Sequence, residues 1–242
     1  MLYFNSDKFD FWTIYDCIKK RYPIGIQRDE SKMYSSYPGH QELISIIVEN
    51  IHEESNFKTR WSDFILNVKH KIQKEIIGTT YGQAPCFSSF IELEKQTTDN
   101  LTRIKELYFF VSLVGPFYTI VGQDRNELRI DKKVYWTTNY LVVSPEKEFI
   151  EPFNLLAELI EEKFAGFRFV PFDICKQSIE GLEVHYVSPE KLNTIFHALF
   201  NDQIDISVRT IGNEYFKADK WIKEGYVDKG GHWVAYPPTQ SS

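Results

Sequence analysis

Cys175, with Asp173 two positions before it, comes nearest to nucleophilic chemistry by residue type. A catalytic thiol needs a base within reach and a group that orients the base. His185, His197 or His232 could supply that base after folding. The run Phe169-Val170-Pro171-Phe172-Asp173-Ile174-Cys175 is largely apolar, which predicts a buried, inert thiol. Ser88-Ser89 lacks the glycine-flanked elbow of a serine hydrolase. A hydrolase-like enzyme using Cys175 or Asp173 with a histidine is one reading of these residues.

Metal and phosphate chemistry find less support. His40, His52, His70, His185, His197 and His232 contain no HExxH spacing. His185 and His197 bracket a predicted strand-to-helix junction and could meet, but a zinc site takes three or four protein ligands. Gly78-Thr79-Thr80-Tyr81-Gly82-Gln83 has no Walker lysine and no GxGxxG. It reads as a turn joining a helix to a sheet. The expectation is a chain with no metal and no cofactor.

Recognition has better candidates. Glu92 and Glu94 fall on one side of a predicted strand, as an acidic patch or as the charged guard of an exposed edge. Glu158, Glu161 and Glu162 form the solvated side of a predicted helix. Gly230-Gly231-His232-Trp233 with Tyr236 presents aromatic rings with polar handles, which suit an interface. The same rings could instead hold the C-terminal segment to the body. Glu92, Glu94, Trp233 and Tyr236 are the candidate binding residues.

Composition sets the class. The chain has 242 residues, 43% of them hydrophobic and 26% charged, enough to bury a substantial core. Its net charge of -6 argues against a surface that grips a nucleic-acid backbone and suits capture of a basic protein. No basic-then-apolar leader and no apolar run of about 20 residues is present. Cys17, Cys86 and Cys175 are odd in number and without CxxC spacing, which points to reduced thiols. The expectation is a cytoplasmic protein with no membrane contact.

Periodicity then supplies the elements. Phe9, Trp12, Ile14, Tyr15 and Ile18 predict a first helix, stopped at Tyr22-Pro23. Leu43, Ile44, Ile47, Val48 and Ile51 predict a second. Phe57, Trp61, Phe64, Ile65, Val68 and Ile72 predict a third, capped by Ser55 or Asn56. Between Cys86 and Val143, aromatic and β-branched runs predict an antiparallel meander turning at Gly115-Pro116 and again at Asp124-Arg125-Asn126. Leu107, Phe109, Val111 and Leu113 point to one face of it, with Tyr108, Phe110, Ser112 and Val114 opposite. Two similar junctions follow, Val143-Ser144-Pro145-Glu146 and Val187-Ser188-Pro189-Glu190, each predicting a serine-capped helix. A last helix is predicted around Tyr215–Lys223.

The fold class is therefore α+β. A mostly antiparallel sheet at about residues 86–143, with later strands, packs against N-terminal and C-terminal helices. The chain reads as one domain over 1–242: mainly helical over 1–75, mainly β-meander over 76–143, mixed over 144–242. Its expected function is that of a protein-binding module without catalysis, most concretely an immunity-type protein neutralising a toxic, basic partner. The hydrolase-like enzyme is the alternative, and a scaffold component is a third class.

Overall fold

The computed structural model describes residues 1–53 and 55–236, with backbone alone at 31, 235 and 236. In chain order the elements begin with β1 (Leu2–Asn5), α1 (Trp12–Arg21), α2 (Ser31–Ser36), α3 (Pro38–Ile47), a π-helical turn (Val48–His52) and α4 (Asn56–Ile72). The sheet follows as β2 (Ile76–Gly78), β3 (Cys86–Thr98), β4 (Leu101–Ser112), β5 (Phe117–Ile130) and β6 (Lys133–Val142). A 3-10 turn (Lys147–Phe149) leads into α5 (Ile150–Lys163), then β7 (Arg168–Phe169), α6 (Phe172–Cys175), α7 (Ile195–Leu199), β8 (Thr210–Ile211), a second 3-10 turn (Ala218–Trp221) and β9 (Trp233–Tyr236).

The protein is α+β, built on a mostly antiparallel sheet with flanking helices. Strand order is β2-β3-β4-β5-β6-β8, with β7 beside β5 and a separate β1-β9 pair. Short connections between β3, β4, β5 and β6 make each neighbour antiparallel. The alternation of the strands sends Leu107, Phe109 and Val111 toward α4 and α5, where they meet Trp61, Phe64, Phe153 and Ile160. The other face sends Phe110, Val121 and Leu141 toward α1 and the C-terminal segments, among Ile14, Ile18, Phe196 and Trp221. Each fully buried large side chain is worth about 1.5–3 kcal/mol over exposure, so both faces contribute to holding the sheet.

Ser55 caps α4: its Oγ accepts the Lys58 N–H at 3.0 Å. Other expectations need correction. Ile44 and Val48 are exposed while Leu43 and Ile47 are buried: the i, i+4 pair Leu43–Ile47 faces the core, and Ile44 and Val48, each one position further round the helix, do not. Asp124-Arg125-Asn126 is no turn; it lies inside β5. The reversal falls at Asp131-Lys132, both at positive φ, beyond the last pair Ile130–Lys133. Ser144 does not cap a helix. Its Oγ accepts the Asn213 N–H at 2.8 Å instead.

At the second junction the segment Val184–Val187 is not a strand, because the Arg28 guanidinium takes the carbonyls of Val184, His185 and Val187. The helix begins only at Ile195, where Thr194 and His197 form a capping box. The predicted helix at Tyr215–Lys223 is reduced to the 3-10 turn at Ala218–Trp221, interrupted before it by Lys217 at positive φ. No helix among the described residues is long and apolar enough to cross a membrane.

Candidate functional site

The strands β3 to β6 outrun their helical cover. Lys95–Leu101 and Leu128–Tyr135 are exposed at their far ends, and these four strand ends form an arm. Leu101, Leu128 and Tyr135 lie opposite one another in register across three strands of the arm. All are exposed, as are Ile130, Val134 and Trp136, the last at 57%. Alternation places Leu101, Leu128, Ile130 and Tyr135 on the Asp124 face and Val134 and Trp136 on the other, and a cluster of exposed large apolar side chains marks a candidate contact surface.

A buried carboxylate with an arginine partner cross-links the strands on each face of the arm. On the α5 side Asp124 is fully buried, and Arg103 donates to it through Nε (3.0 Å) and a terminal nitrogen (2.6 Å). Asn139 (2.6 Å) and Tyr140 (3.1 Å) donate to the same carboxylate. Burial alone would raise the Asp124 pKa; the hydrogen bonds from Arg103, Asn139 and Tyr140 outweigh it and hold the carboxyl below its ordinary range. Asn139 reaches Asp124 because the β5–β6 register shifts there. On the opposite face Glu106, almost fully buried, accepts Arg125 through two bonds of 2.7 Å and the Tyr108 hydroxyl at 3.1 Å. The Arg125 guanidinium in turn stacks on the Trp136 ring at 4.4 Å. Bidentate pairs of this kind fix orientation as well as adding energy.

The sequence-predicted residues divide. Glu92 and Glu94 do not share a face. A bulge between them pairs Glu92 with Glu106 but Glu94 with Lys105, and one extra residue reverses the alternation. Glu94 is engaged by Lys105 at 2.5 Å, which also holds Glu148 at 2.7 Å. That hydrogen bond from Lys105 lowers the Glu94 pKa despite partial burial. Glu92 sits 3.6 Å from Lys95. Trp233 is exposed on β9, which pairs with β1 through Asn5–Trp233 and Leu2–Tyr236. That docks the C-terminal strand; the side chain of Tyr236 lies outside the described residues.

The catalytic candidates do not converge. Cys175 is fully buried with Sγ 3.7 Å from the Val170 carbonyl, and burial pushes its thiol up. Asp173 accepts Gln177 at 3.1 Å and pairs with Lys176 at 3.3 Å. His197 spends Nδ1 on the Thr194 cap, and burial pushes it down to about 4. It lines a cleft of about 600 Å³ with Lys191, Asp202, Asp205 and Arg209. His40 and His185 pack edge-to-face at 5.2 Å, each with a buried Nδ1 that has no hydrogen-bond partner among the described residues. Cys17, Cys86 and Cys175 are free thiols. No group of three or more His, Cys, Asp or Glu among the described residues is placed to hold a metal ion.

The residues that organise the arm, Asp124, Arg125, Glu106 and Trp136, were hidden by the reading of Asp124-Arg125-Asn126 as a turn. The signal that could have found them is cross-strand: polar residues at alternate positions of successive strands with opposite charge, Glu106 against Arg125 and Arg103 against Asp124. Comparison with protein-family models, with curated proteins and with solved structures returned no match.

Proposed function

We propose that this protein is a protein-binding module without catalysis, of the immunity type, and that it engages its partner through the arm of β3 to β6. The observation that carries this reading is the exposed row Leu101–Leu128–Tyr135 on one face of the arm and the exposed Trp136 ring on the other, on strands cross-linked by the ion pairs of Asp124 and Glu106. Rigid aromatic anchors of this kind are the usual hot spots of an interface. The stretches Glu92–Glu106 and Gln123–Tyr140 carry as many acidic as basic residues, so the net charge of -6 belongs to the rest of the chain. An acidic body steers a basic partner toward a neutral contact surface. The toxic character of that partner is the most concrete form of the proposal.

The test is a photo-crosslinking amino acid placed at Tyr135 or, as a control, at Glu158, in the cell that makes the protein. A single protein captured from Tyr135 alone, whose affinity then falls by about 2 kcal/mol or more on Trp136→Ala, is the expected result. Capture from Glu158 alone, or an affinity indifferent to Trp136→Ala and Tyr135→Ala, overturns it.

A further inference from the structure

The two outer strands of the arm differ as edges. Beyond its short pairing with β2, β3 is guarded: Lys74 donates to the Leu93 carbonyl, a bulge lies at Leu93, and Glu94 and Lys95 follow. Bulges and charges are the usual means of keeping an edge from pairing. Between Lys133 and the bulge at Asn139 the β6 edge has no such guard. From Val134 to Thr138 it reads Val-Tyr-Trp-Thr-Thr, with no charge and no proline, all residue types that favour strands. Its neighbour β8 covers only Leu141 and Val142.

Hairpin geometry says which groups this edge offers. The two-residue turn at Asp131-Lys132 makes Ile130–Lys133 a hydrogen-bonded closing pair. Alternation then turns the N–H and C=O of Val134, Trp136 and Thr138 away from β5. The parity agrees with the first covered position: after the bulge at Asn139, the Leu141 N–H points outward to the Arg209 carbonyl at 3.0 Å. No backbone group of another described residue takes those of Val134, Trp136 or Thr138.

Resting on the reading of the arm as a partner-binding surface, we propose that the β6 edge binds by strand addition, pairing with an extended segment of the partner protein whose ends carry carboxylates. Cations bracket the edge: Lys132 and Lys133 at the turn, and Arg209, bound to the Asn139 carbonyl at 2.8 Å, at the other end. Two copies of this chain paired antiparallel about Trp136 would bring Lys133 of each against the Arg209 end of the other. That like-charge juxtaposition disfavours a second copy. A strand with uncharged β-branched residues at its centre and a Glu or Asp at each end meets the same cations favourably. Main-chain bonds to Val134, Trp136 and Thr138 would give the affinity, and the alternate side chains the selectivity.

The test uses a synthetic peptide of about seven residues, alternating Thr and Val between terminal glutamates, and a second peptide with terminal lysines. Amide exchange of the intact protein is followed residue by residue. The expected result is that the glutamate peptide slows exchange at Val134, Trp136 and Thr138, with affinity roughly tenfold or more above the lysine peptide. Val134→Pro, which removes an outward N–H at an edge position that tolerates proline, should abolish peptide binding while the β5–β6 amides stay protected. No slowing at these three amides up to the solubility limit of the peptide overturns the proposal. So does slowing that rises with protein concentration and needs no peptide, which is the signature of a second copy. A crosslinked partner whose affinity falls with Trp136→Ala but not with Val134→Pro would leave the arm as the interface and remove strand addition. Indifference to both variants removes both readings.

Discussion

Single buried charges set the behaviour of this protein with pH. The Asp124 pKa is held below its unfolded value of about 3.9. The unfolded chain therefore takes up that proton first; the stabilisation is complete above about pH 4 and is lost as the pH falls further. Asp124→Ala should cost about 2 kcal/mol at neutral pH, the scale of lost hydrogen bonds to a charged group, because the half-exposed Arg103 left behind can turn to solvent. Asp124→Asn should flatten the acid limb, as urea unfolding at a series of pH values would read. Burial likewise lowers His40, and lowers His185 to about 4 with the neighbouring His40 adding to it. Unfolded imidazoles titrate near 6.5, so stability should be full above about pH 6.5 and decline down to about pH 4. His40→Phe with His185→Phe should reduce that slope, leaving the part due to His197. An unchanged slope would show that these rings are solvated. At this scale the sequence was partly legible: the apolar run around Cys175 announced a buried thiol, whereas nothing local announced that Asp124 would be buried, since its partners Arg103 and Asn139 come from other strands.

Elements were legible where one face must be buried along a whole length. The stripe Trp61, Phe64 and Val68 with Ser55 before it made α4 readable, and the alternation around Leu107–Val111 made β4 readable. Junctions were not, because a Ser-Pro-Glu pattern describes only what could cap a helix, while tertiary partners decide what it does. Ser144 is claimed by Asn213, and the carbonyls of Val184, His185 and Val187 are claimed by Arg28. Ser55→Ala should therefore cost about 1 kcal/mol through a lost cap. Ser144→Ala should cost about 1 kcal/mol through a lost bond to the Asn213 amide, and Ser188→Ala close to nothing. Thermal unfolding of the three variants checks this; a cost at Ser188 equal to that at Ser55 would mean that a helix does start there.

At the scale of the whole molecule, an acidic body carries an arm of balanced charge that is ionic at mid-length and bears exposed Leu101, Leu128, Tyr135 and Trp136 toward its end. Glu92 and Glu94, the sheet candidates read from the sequence, lie on β3 of the arm, while Leu101, Leu128, Tyr135 and Trp136 were not among the candidates. A bulge, unreadable from local composition, sends the two carboxylates to opposite faces, and the cross-strand register that assembles Leu101, Leu128 and Tyr135 exists only once the strands are paired. The account stands or falls on where the partner touches. Hydrogen exchange of the protein alone and in complex with the crosslinked partner, purified, reads this directly. The account predicts added protection over Lys95–Leu101 and Leu128–Thr138, with Asn56–Ile72 and Ile150–Lys163 unchanged. Protection confined to those two helices or to the β1–β9 pair, with the arm exchanging as in the free protein, would contradict it.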